Sequence, residues 1–285
     1  MTSKLITKGK IGIFDSGFGG LSVMKEYLKQ FPEHDYIYLG DQANNPYGSR
    51  STERVNALTQ KNVQWLINQG CELIIIACNT ASADALKHVQ QIYKGKPVIL
   101  GVIIPAVEEA LKQTRFGRIG VIATRATVSS QAYARELKKY EEKLYQPKDK
   151  RAEKKVRLTE KACPLLVPLV EEGMTRHVVT RMMLRNYLRP LKNANIDTLV
   201  LGCTHYPLLY KEVDRISGKR IKVVSSSKAS VEAMENYFKR HPELKKKLTQ
   251  TKTRHYYTTD CPERFAELGS RFLGQKFRAK KVEIN

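Results

Sequence analysis

The chain alternates short apolar runs with longer amphipathic stretches. Runs rich in Ile, Val, Leu and Tyr predict strands that are buried on both faces, at residues 11–14, 36–39, 73–77, 98–100, 119–123, 199–201 and 221–224. Between them, segment 55–67 has Val55, Leu58, Val63 and Leu66 near helical spacing, which predicts an amphipathic helix. This alternation predicts an α/β fold with mainly parallel sheets, whose ligand sites lie at the carboxyl ends of strands.

A faint internal repeat divides the chain into two similar halves. Residues 11–16 (IGIFDS) resemble 119–124 (IGVIAT), and residues 74–80 (IIIACNT) resemble 199–205 (LVLGCTH). The two segments are 17 residues further apart in the second half. That difference matches a basic insertion near 141–161, which we interpret as a solvated helix or loop. The repeat predicts two similar domains that face each other, although unrelated strand–turn–helix units can also look alike.

Two cysteines, Cys78 and Cys203, each lie just past the end of a predicted strand. Helix-capping residues and good helix formers follow Cys78, and Pro207 is suited to open a helix after Cys203. A thiol at a helix N-terminus faces unpaired N–H groups, which favour the thiolate. We therefore predict that these two thiols carry the chemistry. A free cysteine is also a common core residue, and we keep that interpretation for the remaining cysteines, Cys71, Cys163 and Cys261.

A glycine-rich loop at residues 15–20 (DSGFGG) also joins a strand to a helix. It is not a dinucleotide fingerprint, because Ser22 occupies the position of the last required glycine. We expect the glycines to let the backbone approach a small ligand while Asp15 and Ser16 point towards it. The alternative for Asp15 is a helix cap.

A turn-rich loop at residues 40–48 reaches the same sheet edge and is a candidate wall of the pocket. His205 either exchanges protons beside the Cys203 thiol or caps a helix, and its spacing alone leaves both open. Cys203 and His205 are too few ligands to predict zinc, and the five cysteines form no CxxC pair that would indicate a structural metal or a disulfide framework.

The formal net charge of +22 makes nucleic acid a possible partner. Positive residues concentrate at 143–161, 239–254 and 276–281 with few aromatic residues among them. We favour solvated surfaces over a nucleic-acid face there, and note that a basic surface also attracts anionic substrates. The N-terminus lacks a signal-peptide pattern and no apolar run reaches the roughly 18 residues of a membrane span, so we expect a cytoplasmic protein that does not contact membrane.

Four motifs, in order, resemble glutamate racemases of the aspartate/glutamate racemase family. They are residues 14–21 (FDSGFGGL), 46–48 (PYG), 77–81 (ACNTA) and 201–208 (LGCTHYPL), and segments 101–106 and 163–171 are similar too. The resemblance implies two pseudo-symmetric α/β domains with the active site in the cleft between them. Residues 1–101 and 214–285 would form the first domain, and residues 102–213 the second.

The resemblance also implies an activity and a set of roles. Family enzymes convert L-glutamate to D-glutamate for peptidoglycan synthesis without pyridoxal phosphate, other cofactors or metal, and a homodimer is expected. Inversion of a stereocentre needs a base on one face and an acid on the other. By the family pattern Cys78 acts on D-glutamate and Cys203 on L-glutamate, Asp15 and His205 assist them respectively, and Glu171 belongs to the second side.

The family's substrate-binding positions correspond to Asp15, Ser16, Pro46, Tyr47, Gly48, Asn79, Thr80, Thr204 and His205. The sequence departs from the family at Gln42, where threonine is common, and at residues 225–227 (SSS), where aspartate is frequent. Few residues precede Asp15, so we expect no N-terminal activation segment. Aspartate racemases and related decarboxylases share this architecture, and a basic nucleic-acid-binding protein without turnover is the alternative from another class.

Overall fold

The computed structural model describes residues 9–95, 97–144 and 156–284, with the side chains of 141–144 left aside. Its strands form two sheets, and every strand pair among the described residues is parallel. The first sheet contains β1 (Lys10–Asp15), β2 (Tyr36–Gly40), β3 (Cys71–Ile76), β4 (Val98–Gly101), β9 (Arg254–Thr258) and β10 (Lys280–Lys281). The second contains β5 (Arg118–Ala123), β6 (Arg157–Ala162), β7 (Thr198–Gly202) and β8 (Lys222–Ser225).

The internal repeat of the sequence appears as a repeat of topology. The first sheet has the order β10-β9-β2-β1-β3-β4, and the second has the order β6-β5-β7-β8. Strands β1 to β4 and β5 to β8 therefore follow the same order, with β9 and β10 extending the first sheet. The predicted fold class of two similar, mainly parallel α/β units is confirmed, and all seven apolar runs form strands.

Helices connect the strands, as the alternating pattern predicts. They are α1 (Leu21–Gln30), α2 (Thr52–Asn68), α3 (Asn79–Asp84), α4 (Leu86–Ile92), α5 (Ile103–Gln113), α6 (Arg125–Ser129), α7 (Ala132–Leu144), α8 (Leu166–Glu171), α9 (Val178–Asn193), α10 (Tyr210–Ser217), α11 (Ser226–Arg240), α12 (Pro242–Lys247) and α13 (Pro262–Leu273). The helix predicted at 55–67 is α2, which begins after Ser51, whose hydroxyl accepts a hydrogen bond from Arg54 N. Among the described residues, no helix has the length and apolarity to span a membrane.

Two expectations about the chain's organisation need correction. The stretch near 141–161 is not wholly a solvated helix or loop, because it starts in the last turn of α7 and ends in β6. Residues 145–155 of that stretch lie outside the described residues. The expected domain boundary at 213/214 also fails, since β8 would fall in the first domain although it pairs with β7 of the second sheet.

Contacts between the two halves align their carboxyl edges. The Ser22 hydroxyl on α1 donates to Thr204 O at 2.8 Å, just beyond β7. Tyr27, also on α1, has its hydroxyl 2.9 Å from Ser230 Oγ on α11. One continuous buried apolar cluster contains residues from both sheets. The segments that follow β1, β3, β5 and β7 therefore meet at one place.

Candidate active site

A cavity of about 160 Å³ lies where the carboxyl ends of the two sheets meet. Loops after strands of both sheets contribute to its wall, as the strand-end rule predicts. The lining residues are Ser16, Asn45, Pro46, Tyr47, Gly48, Ser49, Cys78, Asn79, Thr80, Thr124, Arg125, Cys163, Pro164, Val167, Pro168, Cys203, Thr204 and His205. Every predicted substrate-binding residue except Asp15 lies in this wall. Asp15 and Glu171 lie behind it.

Cys78 is the N-cap residue of α3 and is buried. Its sulfur accepts a hydrogen bond from Ala81 N at 3.5 Å and lies 3.7 Å from Ser16 Oγ, to which the thiol donates. Burial, reinforced by the negative charge of Asp15, raises the pKa of the Cys78 thiol to about 12 and outweighs the bonds that favour the thiolate. Cys78 is therefore a protonated thiol at neutral pH.

Cys203 belongs to a chain of three polar groups. His205 Nδ1 lies 3.9 Å from Cys203 Sγ, and His205 Nε2 lies 3.0 Å from Glu171 Oε1. Burial lowers the pKa of His205, but its hydrogen bonds to Cys203 and Glu171, and their charges, outweigh burial and raise the pKa to about 10. His205 is therefore an imidazolium at neutral pH, with one N–H directed at the Cys203 sulfur. The alternative role of His205 as a helix cap is wrong, since its side chain makes no capping bond.

Asp15 is fully buried at the end of β1. Its Oδ2 accepts a hydrogen bond from Gly17 N at 3.0 Å. Burial raises the pKa of Asp15, and the charge of His205 and bonds from Gly17, Gly20 and Thr204 offset part of this rise. Asp15 does not cap α1, whose N-cap is Gly20.

One glycine of residues 15–20, Gly19, allows close packing between the two halves. A Cβ atom on Gly19 would lie 2.5 Å from Thr204 Oγ1 and 2.6 Å from the His205 ring. Such separations are far inside van der Waals contact. Gly19 therefore makes room for Thr204 and His205 on the Cys203 side of the site.

The loop after β2 is held by one buried carboxylate, Asp41. Its oxygens accept hydrogen bonds from the Tyr47 hydroxyl at 2.6 Å, Thr259 Oγ1 at 2.8 Å, Asn44 Nδ2 at 3.0 Å and Asn62 Nδ2 at 3.2 Å. These bonds fix Tyr47 and the 45–49 segment against the cavity. The sequence placed Asp41 in a turn-rich loop but gave no signal for this anchoring role.

Three threonine hydroxyls connect the two sheets at the cavity. Thr80 Oγ1 lies 3.1 Å from Thr124 Oγ1 and 3.4 Å from Thr127 Oγ1, and the last two are 3.0 Å apart. Sequence reasoning missed Thr124 as a site residue. The internal repeat contains the signal, because it aligns Thr124 with Ser16.

Arg125 and Cys163 are further lining residues that the sequence did not assign to the site. Arg125 is exposed, and it and His205 are the positively charged groups among the described lining residues. Cys163, expected to be an ordinary core thiol, is buried but contributes to the cavity wall.

Cys261 was expected to be buried and is instead exposed, with its thiol 3.4 Å from Glu263 Oε2. Cys71 is buried in β3 as expected.

The described residues contain no group of three His, Cys, Asp or Glu side chains arranged to hold a metal ion. The site's polar groups are instead hydroxyls, amides and two cationic side chains, Arg125 and His205, around three thiols. Such groups suit the carboxylates of a small anion.

Comparison with known proteins assigns the chain to a family. A family model described as Asp/Glu/Hydantoin racemase matches residues 15–234. A glutamate racemase of Geobacter metallireducens is 42% identical over 266 residues, which cover 93% of each chain. This chain belongs to the glutamate racemase family. Another glutamate racemase, from Chlorobaculum parvum, is 38% identical over 271 residues, covering 95% of this chain and 94% of the relative.

Solved structures of glutamate racemases share the whole architecture. Isoform RacE1 from Bacillus anthracis has a TM-score of 0.86 at 30% identity, covering 98% of both chains. The Francisella tularensis enzyme, solved in complex with D-glutamate, has a TM-score of 0.85 at 31% identity, covering 98% of this chain and 99% of that one. An aspartate racemase of Picrophilus torridus, with a TM-score of 0.51 at 22% identity, covers 80% of this chain and 94% of its own and shares only the fold.

Proposed function

We propose that this member of the glutamate racemase family interconverts L- and D-glutamate by a two-base reaction at Cys78 and Cys203. The observation that carries the proposal is that two thiols at equivalent strand ends of two similar sheets line one cavity. The names of the curated relatives and the D-glutamate complex of the Francisella enzyme support glutamate as the substrate. No cofactor or metal has a role in the reaction that we propose.

The two thiols have complementary protonation states for the L-to-D direction. Cys203, as a thiolate beside the His205 imidazolium, removes the α-proton of L-glutamate. The electron pair left at Cα is delocalised into the α-carboxylate, and the Cys78 thiol then protonates the opposite face. The products are D-glutamate, a Cys203 thiol and a Cys78 thiolate. Conversion of D-glutamate follows the same steps in reverse, with Cys78 as the base.

Two carboxylates behind the cavity wall, Glu171 and Asp15, influence the protonation of the two thiols. Glu171 accepts from His205 and keeps its imidazolium oriented towards Cys203. Asp15, whose negative charge disfavours a thiolate at Cys78, keeps that residue ready to donate a proton. We assign both as positioning residues, because neither lines the cavity.

Substrate binding is assigned to the polar wall. Ser16, Asn79, Thr80 and Thr204 supply donors for the two carboxylates, and residues 46–48 (PYG) close the wall on the side held by Asp41. A polar wall lowers the cost of burying two carboxylates.

The test is racemisation of each glutamate enantiomer followed by circular dichroism, without added cofactor and with aspartate as the competing substrate. Cys78→Ser and Cys203→Ser should each lose nearly all activity, because each step needs its own thiol. Cys261→Ser is the matched control, since this thiol is exposed and lies outside the cavity wall. Full activity in either cavity variant, or faster turnover of aspartate than of glutamate, would overturn the proposal.

We also propose, from the family resemblance, that the D-glutamate supplies peptidoglycan synthesis in the cytoplasm and that the enzyme is a homodimer. Sedimentation at equilibrium tests the last point directly, since the chain mass is 32.5 kDa. A species of about 32.5 kDa at micromolar concentration would contradict the homodimer.

A further inference from the structure

A second, larger cavity lies at the other end of the second sheet. Its volume is about 1270 Å³, and residues from the segments 113–118, 192–197 and 217–222 line it. These segments lie at the amino ends of β5, β7 and β8, whereas the cysteine site lies at the carboxyl ends. The cavity is therefore separate from the site of the proposed racemisation.

This cavity is strongly positive. Its wall contains one carboxylate, Asp197, and six basic side chains, so the local formal charge is +5; the basic residues are Arg115, Arg118, Lys192, Lys219, Arg220 and Lys222. Five of the six form no ion pair with any residue that the structure describes; they are Arg118, Lys192, Lys219, Arg220 and Lys222. Lys192 Nζ donates to a neutral group, the carbonyl of Ile216, at 2.9 Å. The charges of these five side chains are thus available to an anionic ligand.

The Asp197 carboxylate is already occupied by the chain itself. Its Oδ1 accepts from Thr114 Oγ1 at 2.5 Å, and its Oδ2 accepts from the backbone N–H groups of Arg115 and Phe116. These bonds fix the turn before β5 and leave the Phe116 ring 59% exposed. The Arg115 guanidinium carbon lies 5.5 Å from the centre of that ring. The cavity therefore combines an exposed aromatic ring with several cations.

This combination indicates a particular class of ligand. Small-molecule sites typically occupy about 300–1,000 Å³, and this cavity is larger. Proteins that hold single strands combine a positive groove for the phosphates with aromatic side chains on which bases stack. A duplex conceals the faces of its bases and offers Phe116 nothing to stack on. We propose that the cavity binds single-stranded nucleic acid, with the basic side chains on phosphates and Phe116 against a base.

The sequence did not point to this surface. Its basic clusters at 143–161, 239–254 and 276–281 are continuous in the chain, whereas the cavity collects cations from three separate segments. None of its residues belongs to the proposed racemisation site, so failure of either proposal leaves the other unaffected.

The test measures binding of fluorescently labelled oligothymidylate to the full chain by anisotropy, over a range of salt concentrations. If five phosphates are neutralised, the logarithm of the association constant should fall with the logarithm of the salt concentration at a slope of about −3.5. Lys219→Glu combined with Arg220→Glu should weaken binding at least tenfold, and should reduce the slope by about 1.4 through loss of two phosphate contacts. Phe116→Ala should weaken binding at least about fivefold through lost stacking.

The matched control is Lys276→Glu combined with Arg278→Glu, which makes the same change of charge on exposed residues outside the cavity. Far-UV circular dichroism and urea unfolding of every variant report whether the fold is intact. Equal loss of binding in the control pair would contradict the location. Wild-type affinity in the cavity pair, tighter binding of a duplex of equal length, or equally good competition by tripolyphosphate would overturn the proposal.

Discussion

Two thiols in equivalent places have different surroundings. Cys78 has a buried carboxylate, Asp15, behind it, whereas Cys203 has an imidazolium beside it. The first arrangement favours a protonated thiol at Cys78, and the second places a hydrogen-bond donor beside the Cys203 sulfur. In the reaction that we propose, these surroundings make Cys78 the acid and Cys203 the base for L-glutamate.

His205 should control the alkaline limit of the reaction. Its pKa is raised from 6.5 to about 10, so its imidazolium is present below that pH and is lost above it. We expect racemisation to fall as pH rises through about 10. Because the folded-state pKa is the higher one, the stability that the charge contributes is complete below pH 6.5 and is lost as pH rises through about 10.

His205→Gln tests this role. General acid–base groups contribute about 10²–10⁴-fold, so kcat/KM should fall by at least about a hundredfold, and the alkaline loss of stability should disappear. Rate profiles and urea unfolding over pH 6–11 measure both effects. His255→Gln, at an exposed position on β9, is the control. An unchanged alkaline profile in the His205 variant would refute the assignment.

Arg125 should assist capture of the substrate. It is the exposed cation in the cavity wall, it forms no ion pair with the described residues, and glutamate carries a net negative charge. Arg125→Gln should lower kcat/KM about three- to tenfold, mainly through KM, and Arg125→Lys should recover most of the loss. Kinetics at increasing ionic strength provide the measurement. A wild-type salt dependence that persists in the glutamine variant would exclude this role.

Among the secondary-structure elements, the strands that could be predicted from the sequence are those that contain an apolar run. The apolar runs form buried strands as predicted, but β6 (RLTEKA) and β9 (RHYYT) were missed because charged residues interrupt them. β6 is an edge strand whose residues are mostly half-buried, so it needs no continuous apolar run.

The residues of the candidate site also divide into those that the sequence could predict and those that it could not. Strand ends locate Cys78, Cys203 and the loop after β2, and the repeat contains the signal for Thr124. Arg125 and Cys163 also follow strand ends, those of β5 and β6. Cys163 was missed because β6 has no apolar run that would predict a strand before it, and no local pattern singles out Arg125 among the residues after β5.

Helix α13 offers a test of close packing between elements. A Cβ on Gly269 would lie 2.6 Å from Leu21 Cδ1 and 2.9 Å from Phe277 Cζ. Alanine gains about 1 kcal/mol in helix propensity over glycine, but overpacking costs about 1–3 kcal/mol, and Leu21 is fully buried. We therefore expect Gly269→Ala to lower the free energy of unfolding by up to about 2 kcal/mol.

Urea unfolding measures this effect, and a double-mutant cycle with Leu21→Ala supplies the control. The two changes together should lower the free energy of unfolding by less than the sum of their separate effects, because alanine at position 21 makes room for the added Cβ at position 269. A Gly269→Ala variant more stable than the wild type would contradict the packing.

In the whole molecule, the two sheets share one strand order, and the carboxyl ends of their equivalent strands face each other. This arrangement gives a cavity in which equivalent residues approach a ligand from both halves, which is what inversion at a single carbon requires. The opposite end of the second sheet carries the basic cavity. The two ends of that sheet therefore serve different ligands in our account.

The central claim is that two separate thiols exchange protons with the two faces of one carbon. Initial-rate racemisation of L-glutamate in deuterated water tests it most directly, with mass spectrometry of both enantiomers. Because the thiol that donates has equilibrated with solvent, nearly every molecule of D-glutamate formed should carry deuterium, while the remaining L-glutamate stays protonated at Cα. D-glutamate that retains the hydrogen of its precursor would show a single base acting on both faces, and would contradict the account.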